Sequence, residues 1–340
     1  MSEITSTQIQ LVSRPDGWPT PRDFRTVQVD YGPLKPGHVR VVNEFVSVDP
    51  YMRMRMSDVP GWAFPLGETM TGSAVGRVIA SASEDLPVGT WVLHEYGWRD
   101  VAQEHAEGFR IVPEAPGVPL SLHLGMFGLV GLTAYAGLTA VARMRPGDTV
   151  FVSGAAGAVG STAGQLARIL GAGRVIGSAG SAEKVALLTG KYGFDAAFNY
   201  KDAPVAAQLA EAAPDGIDVY FDNVGGDHLD AALAALNDGG RAALCGAISE
   251  YNTSGPARRP RHLANVAARS LTLEPFTVAD HLALAPEFRR LMTEGLGNGR
   301  IAYDETVVDG IDHAADAFLD MMRGQNIGKM IVRTNLGQHD

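Results

Sequence analysis

The stretch Thr149–Lys184, TVFVSGAAGAVGSTAGQLARILGAGRVIGSAGSAEK, decides how the chain is read. It opens on Thr149-Val-Phe-Val-Ser153, the short, β-branched, apolar run of a strand buried in a parallel sheet. That run passes straight into Gly154-Ala-Ala-Gly157-Ala-Val-Gly160. Helical spacing follows from Ser161 to Leu170, with Ala163, Leu166, Ala167 and Leu170 on one face. Gly171 and Gly173 stop the helix before a second strand, Arg174-Val-Ile-Gly177. Together these make one βαβ unit.

A glycine turn between strand and helix lets bare backbone N–H groups approach a pyrophosphate, and the helix N-terminus adds partial positive charge. The expected ligand is a dinucleotide. The spacing is GxxGxxG rather than GxGxxG, a pattern that a tight turn in a ligand-free α/β domain also produces; the flanking strands and helix favour the nucleotide. The end of the second strand says which dinucleotide. An NAD site carries an Asp or Glu there for the ribose 2′-hydroxyl, whereas this chain reads Gly177-Ser-Ala-Gly180-Ser181, with no acid before Glu183 and with Lys184 one turn into the next helix. A lysine on a 2′-phosphate is worth roughly 1.5–3 kcal/mol, a preference for NADP over NAD of about 10- to 150-fold. The alternative is that Lys184 is one more solvated helix cation.

A chain of 340 residues can hold two domains, and 46% hydrophobic with 19% charged residues describes an ordinary globular protein. The net charge of −10 opposes binding to nucleic acid or anionic membrane, and the one basic cluster, Arg258-Arg-Pro-Arg261, reads as a solvated loop. With neither a signal-like segment nor a long apolar run, the cytoplasm is expected. The single cysteine, Cys245, excludes an intrachain disulfide and a four-cysteine zinc site. It sits in Ala242-Ala-Leu-Cys-Gly246, the pattern of a buried strand.

Residues 1 to about 125 carry β-rich runs, Val39–Val42, Ala74–Ile79 and Thr90–Leu93, between turns such as Lys35-Pro-Gly37 and Leu86-Pro-Val-Gly89. This predicts a compact β domain. Gly125–Ala142 is helix-compatible and leads through Arg145-Pro-Gly-Asp148 into the nucleotide-binding strand. Strands are then expected at Ala196–Tyr200, Asp218–Asp222, Arg241–Cys245 and Ser270–Glu274, with helices between them, so the fold class is α/β with a doubly wound parallel sheet. The tail, with Tyr303–Val308, a helix over Ile311–Met322 and a strand at Gly328–Arg333, is expected to return to the first domain.

Several motifs together resemble a known family in collinear order over nearly the whole chain. They are Val48-Asp-Pro-Tyr-Met-Arg53, Leu66-Gly-Glu68 with Val75-Gly76, Gly131-Leu-Thr-Ala-Tyr135, the Gly154–Gly160 loop, Phe198-Asn-Tyr-Lys201, Tyr220-Phe-Asp-Asn-Val-Gly-Gly226, Cys245-Gly-Ala-Ile-Ser-Glu-Tyr-Asn252 and Asn326-Ile-Gly-Lys329. The resemblance is to the zinc-independent medium-chain dehydrogenases/reductases, in the leukotriene B4 dehydrogenase, prostaglandin reductase and alkenal double-bond reductase branch. It implies a GroES-like β domain (1–125 and 303–340), a Rossmann NADP-binding domain (126–302), an active site in the cleft between them, a homodimer, and NADPH-dependent reduction of an enone. It also implies cofactor contacts at Ala156, Gly157, Ala158 and Val159, at Gly180, Lys184 and Tyr200 around the 2′-phosphate and adenosine, and at Asn223. The nicotinamide half falls to Cys245, Gly246, Ala247, Ile248, Ser249, Tyr251, Phe276, Thr277, Val278 and Asn326. The chain departs from the family at Gly128-Leu-Val-Gly131, where Gly-Met-Pro-Gly is usual.

Hydride transfer to the β-carbon of an enone builds negative charge on the carbonyl oxygen, which a tyrosine hydroxyl can meet by donating a hydrogen bond. Tyr251 is the first candidate, because it follows the C-terminal edge of the fifth strand, where a doubly wound sheet places its ligand. Tyr51 is the second, and it reads equally well as a packed ring. No metal is expected, since His94, His105 and His123 lack a second ligand at metal spacing. Quinone reduction, secondary-alcohol oxidation, and NADPH binding without turnover are the competing readings.

Overall fold

The computed structural model describes residues 4–253 and 259–334. Within it the chain divides into two compact units, Met1–Leu124 with Glu305–Asn326 and Met330–Asp340, and Gly125–Asp304 with Ile327–Lys329.

In the first unit β1 (Ile4–Leu11) and β2 (Phe24–Tyr31) form an antiparallel pair. Then come β3 (His38–Ser47), the short helix α1 (Tyr51–Arg55), β4 (Ala74–Ser81), β5 (Trp91–His94), β6 (Val101–His105) and β7 (Phe109–Ile111). β3 pairs antiparallel with both β4 and β6, and β4 continues the sheet to β5 and β7. Val39, Val41, Val78, Val92 and Phe109 fill the core beneath it, the inward set of each alternating strand.

The second unit opens with α2 (Leu129–Ala136), whose last residue runs into one turn of π-helix at Gly137–Val141, so the expected single helix is interrupted. From β8 (Thr149–Val152), strands and helices alternate through α3 (Ala158–Ile169), β9 (Arg174–Ala179), α4 (Ala182–Gly190), β10 (Ala196–Asn199), α5 (Val205–Ala212) and β11 (Ile217–Asp222). The unit continues with α6 (Gly226–Ala235), β12 (Leu236–Leu244), α7 (Ala264–Ala268), β13 (Thr272–Pro275) and α8 (Ala285–Gly297). The strand order is β10-β9-β8-β11-β12-β13, and every neighbouring pair is parallel, which is the doubly wound sheet expected from the alternation. Phe151 holds its centre, stacked on Phe198 at 5.8 Å and on Tyr220 at 5.2 Å. Fully burying a side chain of that size contributes about 1.5–3 kcal/mol.

The tail supplies β14 (Glu305–Asp309), α9 (Ala314–Met322) and β15 (Lys329–Arg333). β15 lies antiparallel to β3, with Ile331 opposite Ser47. The tail thus completes the seven-stranded sheet of the first unit. Of the basic run, Arg258 lies outside the described residues, while Arg259 and Arg261 are exposed. No helix among the described residues is long and apolar enough to cross a membrane.

Candidate active site

Because β8 to β12 run parallel, their C-terminal ends share one edge of the sheet, and the loops leaving them collect most of the residues singled out in the sequence. The first loop follows β8. Gly154 adopts φ +58°, a conformation that reverses the chain without a Cβ penalty. Gly157 then caps α3 with no side-chain hydrogen bond, so the helix starts at Ala158, three residues before Ser161. Its leading N–H groups have no side-chain cap, the arrangement that suits a pyrophosphate. Gly160 lets helix and loop touch, since a Cβ there would stand 2.4 Å from the Gly154 carbonyl oxygen and 2.8 Å from Ala155 Cα. Both obstacles are backbone. Gly160→Ala is therefore expected to cost about 1–3 kcal/mol of stability and to weaken NADPH binding, as read by thermal unfolding and by NADPH fluorescence titration. An unchanged melting temperature with unchanged affinity would refute this account of the loop. The loop is also clasped from the tail, where Gly328 N–H donates to the Ala156 carbonyl at 2.9 Å.

The loop after β9 carries Gly180 and Ser181, and the Ser181 hydroxyl caps α4 by accepting the Lys184 N–H at 3.3 Å. Beside it the chain leaving β10 presents Tyr200, whose hydroxyl would stand 3.0 Å from a Cβ on Gly180. Burial, together with the charge of Lys201, holds the Lys184 ammonium below its ordinary value, against the pull of Glu183. Lys201 is the cation that the sequence reading passed over.

After β11 the buried carboxylate of Asp222 organises the next two loops. One of its oxygens accepts the Tyr220 hydroxyl at 2.7 Å, the Ser153 hydroxyl at 3.2 Å, and the N–H groups of Val224 and Gly225 at 2.9 and 2.8 Å. Burial raises its pKa, and these donors oppose the rise. Asn223 is tied to the glycine loop, its side-chain amide donating to the Ser153 carbonyl at 2.8 Å. A buried acid closing the apolar strand Ile217–Asp222 was the signal available in the sequence.

The segment after β12 docks on this platform. Cys245 lies one residue past the strand, not within it, because β12 ends at Leu244; its N–H and that of Gly246 donate to the Asp222 carbonyl at 2.9 and 3.0 Å. Burial and then the Asp222 charge push the Cys245 thiol up to about 12, so it stays protonated. Ile248 N–H donates to Asn223 O at 3.3 Å and Ser249 N–H to Val224 O at 3.1 Å. The chain then turns back on itself. Ala247 N–H donates to the Tyr251 hydroxyl at 3.2 Å. Burial keeps that phenol above its usual pKa, so its oxygen accepts while its own hydrogen remains to be donated. At the end of β13, the Phe276 ring meets Phe221 edge-on at 6.3 Å, and Thr277 caps the Val278–Leu284 turn.

Tyr51 and Asn326 belong to the first unit. Tyr51 opens α1, and burial, then the Asp49 and Glu95 carboxylates, push its hydroxyl above the ordinary phenol range; Arg55 pulls the other way through its charge and a hydrogen bond. Arg55 is itself fixed, with Nε donating to Trp62 O at 3.0 Å, Nη1 to Thr71 Oγ1 at 3.1 Å, and the guanidinium 4.0 Å from the centre of the Phe64 ring. His94 and His123 are buried and His105 is exposed. Among the described residues no three His, Cys, Asp or Glu side chains are grouped to hold a metal ion.

Two family models match, "N-terminal domain of oxidoreductase" over residues 7–112 and "Zinc-binding dehydrogenase" over residues 158–294. The chain is 38% identical to the NADPH-dependent curcumin reductase of Escherichia coli, covering 95% of each chain. It is 40% identical to prostaglandin reductase 1 of Sus scrofa, covering 93% of this chain and 95% of that one. The chain belongs to the zinc-independent medium-chain dehydrogenases/reductases. Within them it falls in the prostaglandin and alkenal reductase branch, and it is an NADP-dependent oxidoreductase of the 2-alkenal or prostaglandin reductase type. The structure of CurA from Vibrio vulnificus in complex with NADPH superposes with a TM-score of 0.90 at 40% identity, covering 97% of this chain and 99% of that one. The cofactor is NADP(H). The uncapped start of α3, the backbone-tight Gly160 and the acid-free end of β9 beside Lys184 all fit it.

Proposed function

We propose that this enzyme reduces the carbon–carbon double bond of α,β-unsaturated aldehydes and ketones, delivering hydride to the β-carbon and a proton to the α-carbon without a metal. When bound, NADPH supplies the hydride, and each turnover consumes one proton. The Ala156–Val159 loop would hold the pyrophosphate, with Asn223 tied to the same loop at the end of β11, and Gly180, Lys184 and Tyr200 would take the 2′-phosphate and adenosine end. Residues Cys245–Ser249, Phe276–Val278 and Asn326 position the nicotinamide half. Tyr251 donates its hydrogen bond to the carbonyl oxygen as negative charge builds there, and Tyr51 is the second candidate for that role. The observation that carries this reading is the Tyr251 hydroxyl, which accepts the Ala247 N–H and so is oriented with its own hydrogen to give. The named activities of the prostaglandin and curcumin reductases, alike over more than nine-tenths of the chain, support the substrate class.

The test is NADPH consumption, followed by absorbance with product analysis, against a 2-alkenal, a β-aryl enone, a quinone and a simple ketone, repeated with NADH. Loss of NADPH with recovery of the saturated carbonyl is expected from the two enones. Turnover confined to the quinone or the ketone would overturn the substrate class. Equal use of NADH would overturn the role given to Lys184.

A further inference from the structure

We propose that Lys201 is a second specificity-determining cation for the cofactor's 2′-phosphate, sharing that group with Lys184. The proposal rests on the reading above that Lys184 meets the 2′-phosphate, and it assigns a role to the last residue of the Phe198-Asn-Tyr-Lys201 motif, which the family resemblance leaves without one. The argument begins with the sheet. β9 and β10 are parallel neighbours with Asn199 opposite Ala179, and Tyr200 N–H donates to the Ala179 carbonyl at 3.1 Å. The chain leaving β10 therefore runs beside the chain leaving β9, which sets Tyr200 against Gly180, with Lys201 the next residue along.

The turn after β10 is held in place. Asn199 Nδ2 donates to Asp202 Oδ1 at 2.7 Å, and Lys201 N–H donates to Asn199 Oδ1 at 3.2 Å. Asp202, the acid closest in sequence to Lys201, thus carries a donor of its own, while the Lys201 side chain is exposed with Nζ 5.8 Å from the centre of the Tyr200 ring. Across the gap the Ser181 cap places Lys184 in the first turn of α4. Lys184 senses Lys201 strongly enough that the second charge, after burial, is the leading cause of its lowered basicity. Lys201 Nζ stands over the ring of Tyr200, whose hydroxyl faces Gly180, and Lys184 follows four residues after that glycine, so an anion at the end of β9 has a cation on either side. A phosphate monoester carries a charge of about −1.5 to −2 near neutral pH, and one lysine neutralises only part of it. The ribose 2′-hydroxyl of NAD(H) carries no charge for Lys201 to meet.

The experiment compares Lys201→Gln, Lys201→Arg, Lys184→Gln and the double Gln variant, titrated with NADP+, NAD+ and adenosine 2′,5′-bisphosphate by calorimetry. Lys201→Gln is expected to weaken NADP+ and the bisphosphate about 3- to 10-fold, less than a buried pair would because the side chain is exposed. NAD+ affinity should hold, Lys201→Arg should restore the phosphate-bearing ligands, and their salt dependence should be shallower in the Gln variant. If Lys184→Gln lowers NADP+ affinity selectively but Lys201→Gln does not, the proposal falls while the 2′-phosphate site stands. A Lys201→Gln loss equal for NADP+ and NAD+ would mark a structural role and overturn it. Selectivity unchanged even in the double variant would overturn both the proposal and the site it rests on.

Discussion

Replacing Tyr251 by Phe is expected to lower kcat about 10²- to 10³-fold while leaving the KM for NADPH within about twofold. The substitution removes one oxygen and its hydrogen. What it leaves behind decides whether the result reports chemistry or damage. The segment carrying Tyr251 is anchored independently, through Cys245, Gly246, Ile248 and Ser249 N–H groups on the carbonyls of Asp222, Asn223 and Val224, and through the Ser249 hydroxyl on Val224 O at 2.6 Å. Only the Ala247 N–H loses a partner, a cost of about 1–3 kcal/mol if water does not reach it. The fold and the cofactor platform therefore survive. Burial, then the neighbouring Cys245, Asp222 and Glu250, keep the phenol above its ordinary pKa, so the hydroxyl is a hydrogen-bond donor throughout the neutral range. Steady-state kinetics with an enone acceptor measure the effect. An unchanged kcat would take Tyr251 out of the mechanism and leave Tyr51 as the donor.

How much of this was legible before the structure follows from where each signal lies in the chain. The β8–α3–β9 unit could be read because strand, glycines and helix are contiguous, and a local pattern needs no knowledge of what packs on it. Even so, the helix begins at Ala158, since the Gly157 cap is a backbone conformation that composition does not display. β1 escaped notice for the opposite reason. Its inward residues include Ser6 and Gln8, buried polar groups whose partners are distant; Ser6 donates to Asp100 Oδ1 at 3.0 Å and to Val101 O at 2.9 Å, from nearly a hundred residues away. The apolar run Ala242–Leu244 draws Cys245 into the expected strand, yet β12 ends at Leu244: the Asp222 carbonyl takes the Cys245 N–H as the last bond of the ladder and the Gly246 N–H as well, where the chain leaves the sheet. The meaning of Lys201 depends on the β9–β10 register, which sets its neighbour Tyr200 against Gly180 and which the sequence does not display. Tyr251 could be placed at a strand end, but the return of its hydroxyl to Ala247 is tertiary detail.

Acidification is expected to destabilise the protein between about pH 6.5 and pH 4, with His94 as a principal cause. The ring is buried in the first unit with both nitrogens committed. One hydrogen-bonds Asn43 Oδ1 at 2.8 Å, while Nδ1 accepts the Tyr96 N–H at 3.1 Å, which fixes the neutral tautomer with its proton on Nε2. Protonation would set an Nδ1–H against the Tyr96 N–H. Burial first, then the charge of Arg99, lowers its pKa from 6.5 to about 3. Because the unfolded chain binds this proton more readily than the folded one, the contribution is fully present above pH 6.5 and is lost as pH falls toward the folded value. By pH 4 the loss amounts to about 3 kcal/mol, roughly 4 °C in melting temperature for a chain of 340 residues. His228, lowered to about 4 chiefly by burial, acts in the same direction. Asp222, Asp100 and Glu95 act in the other, since burial raises each of them and the folded state binds their protons first. The comparison of wild type with His94→Gln separates these groups, because only the histidine titration differs. The variant keeps a donor for Asn43 and an acceptor for Tyr96, so it should fold, and its deficit at pH 7.5 should narrow by about 3 kcal/mol at pH 4. Chemical unfolding at the two pH values measures that gap, and a gap independent of pH would mean that His94 does not set the acid limit.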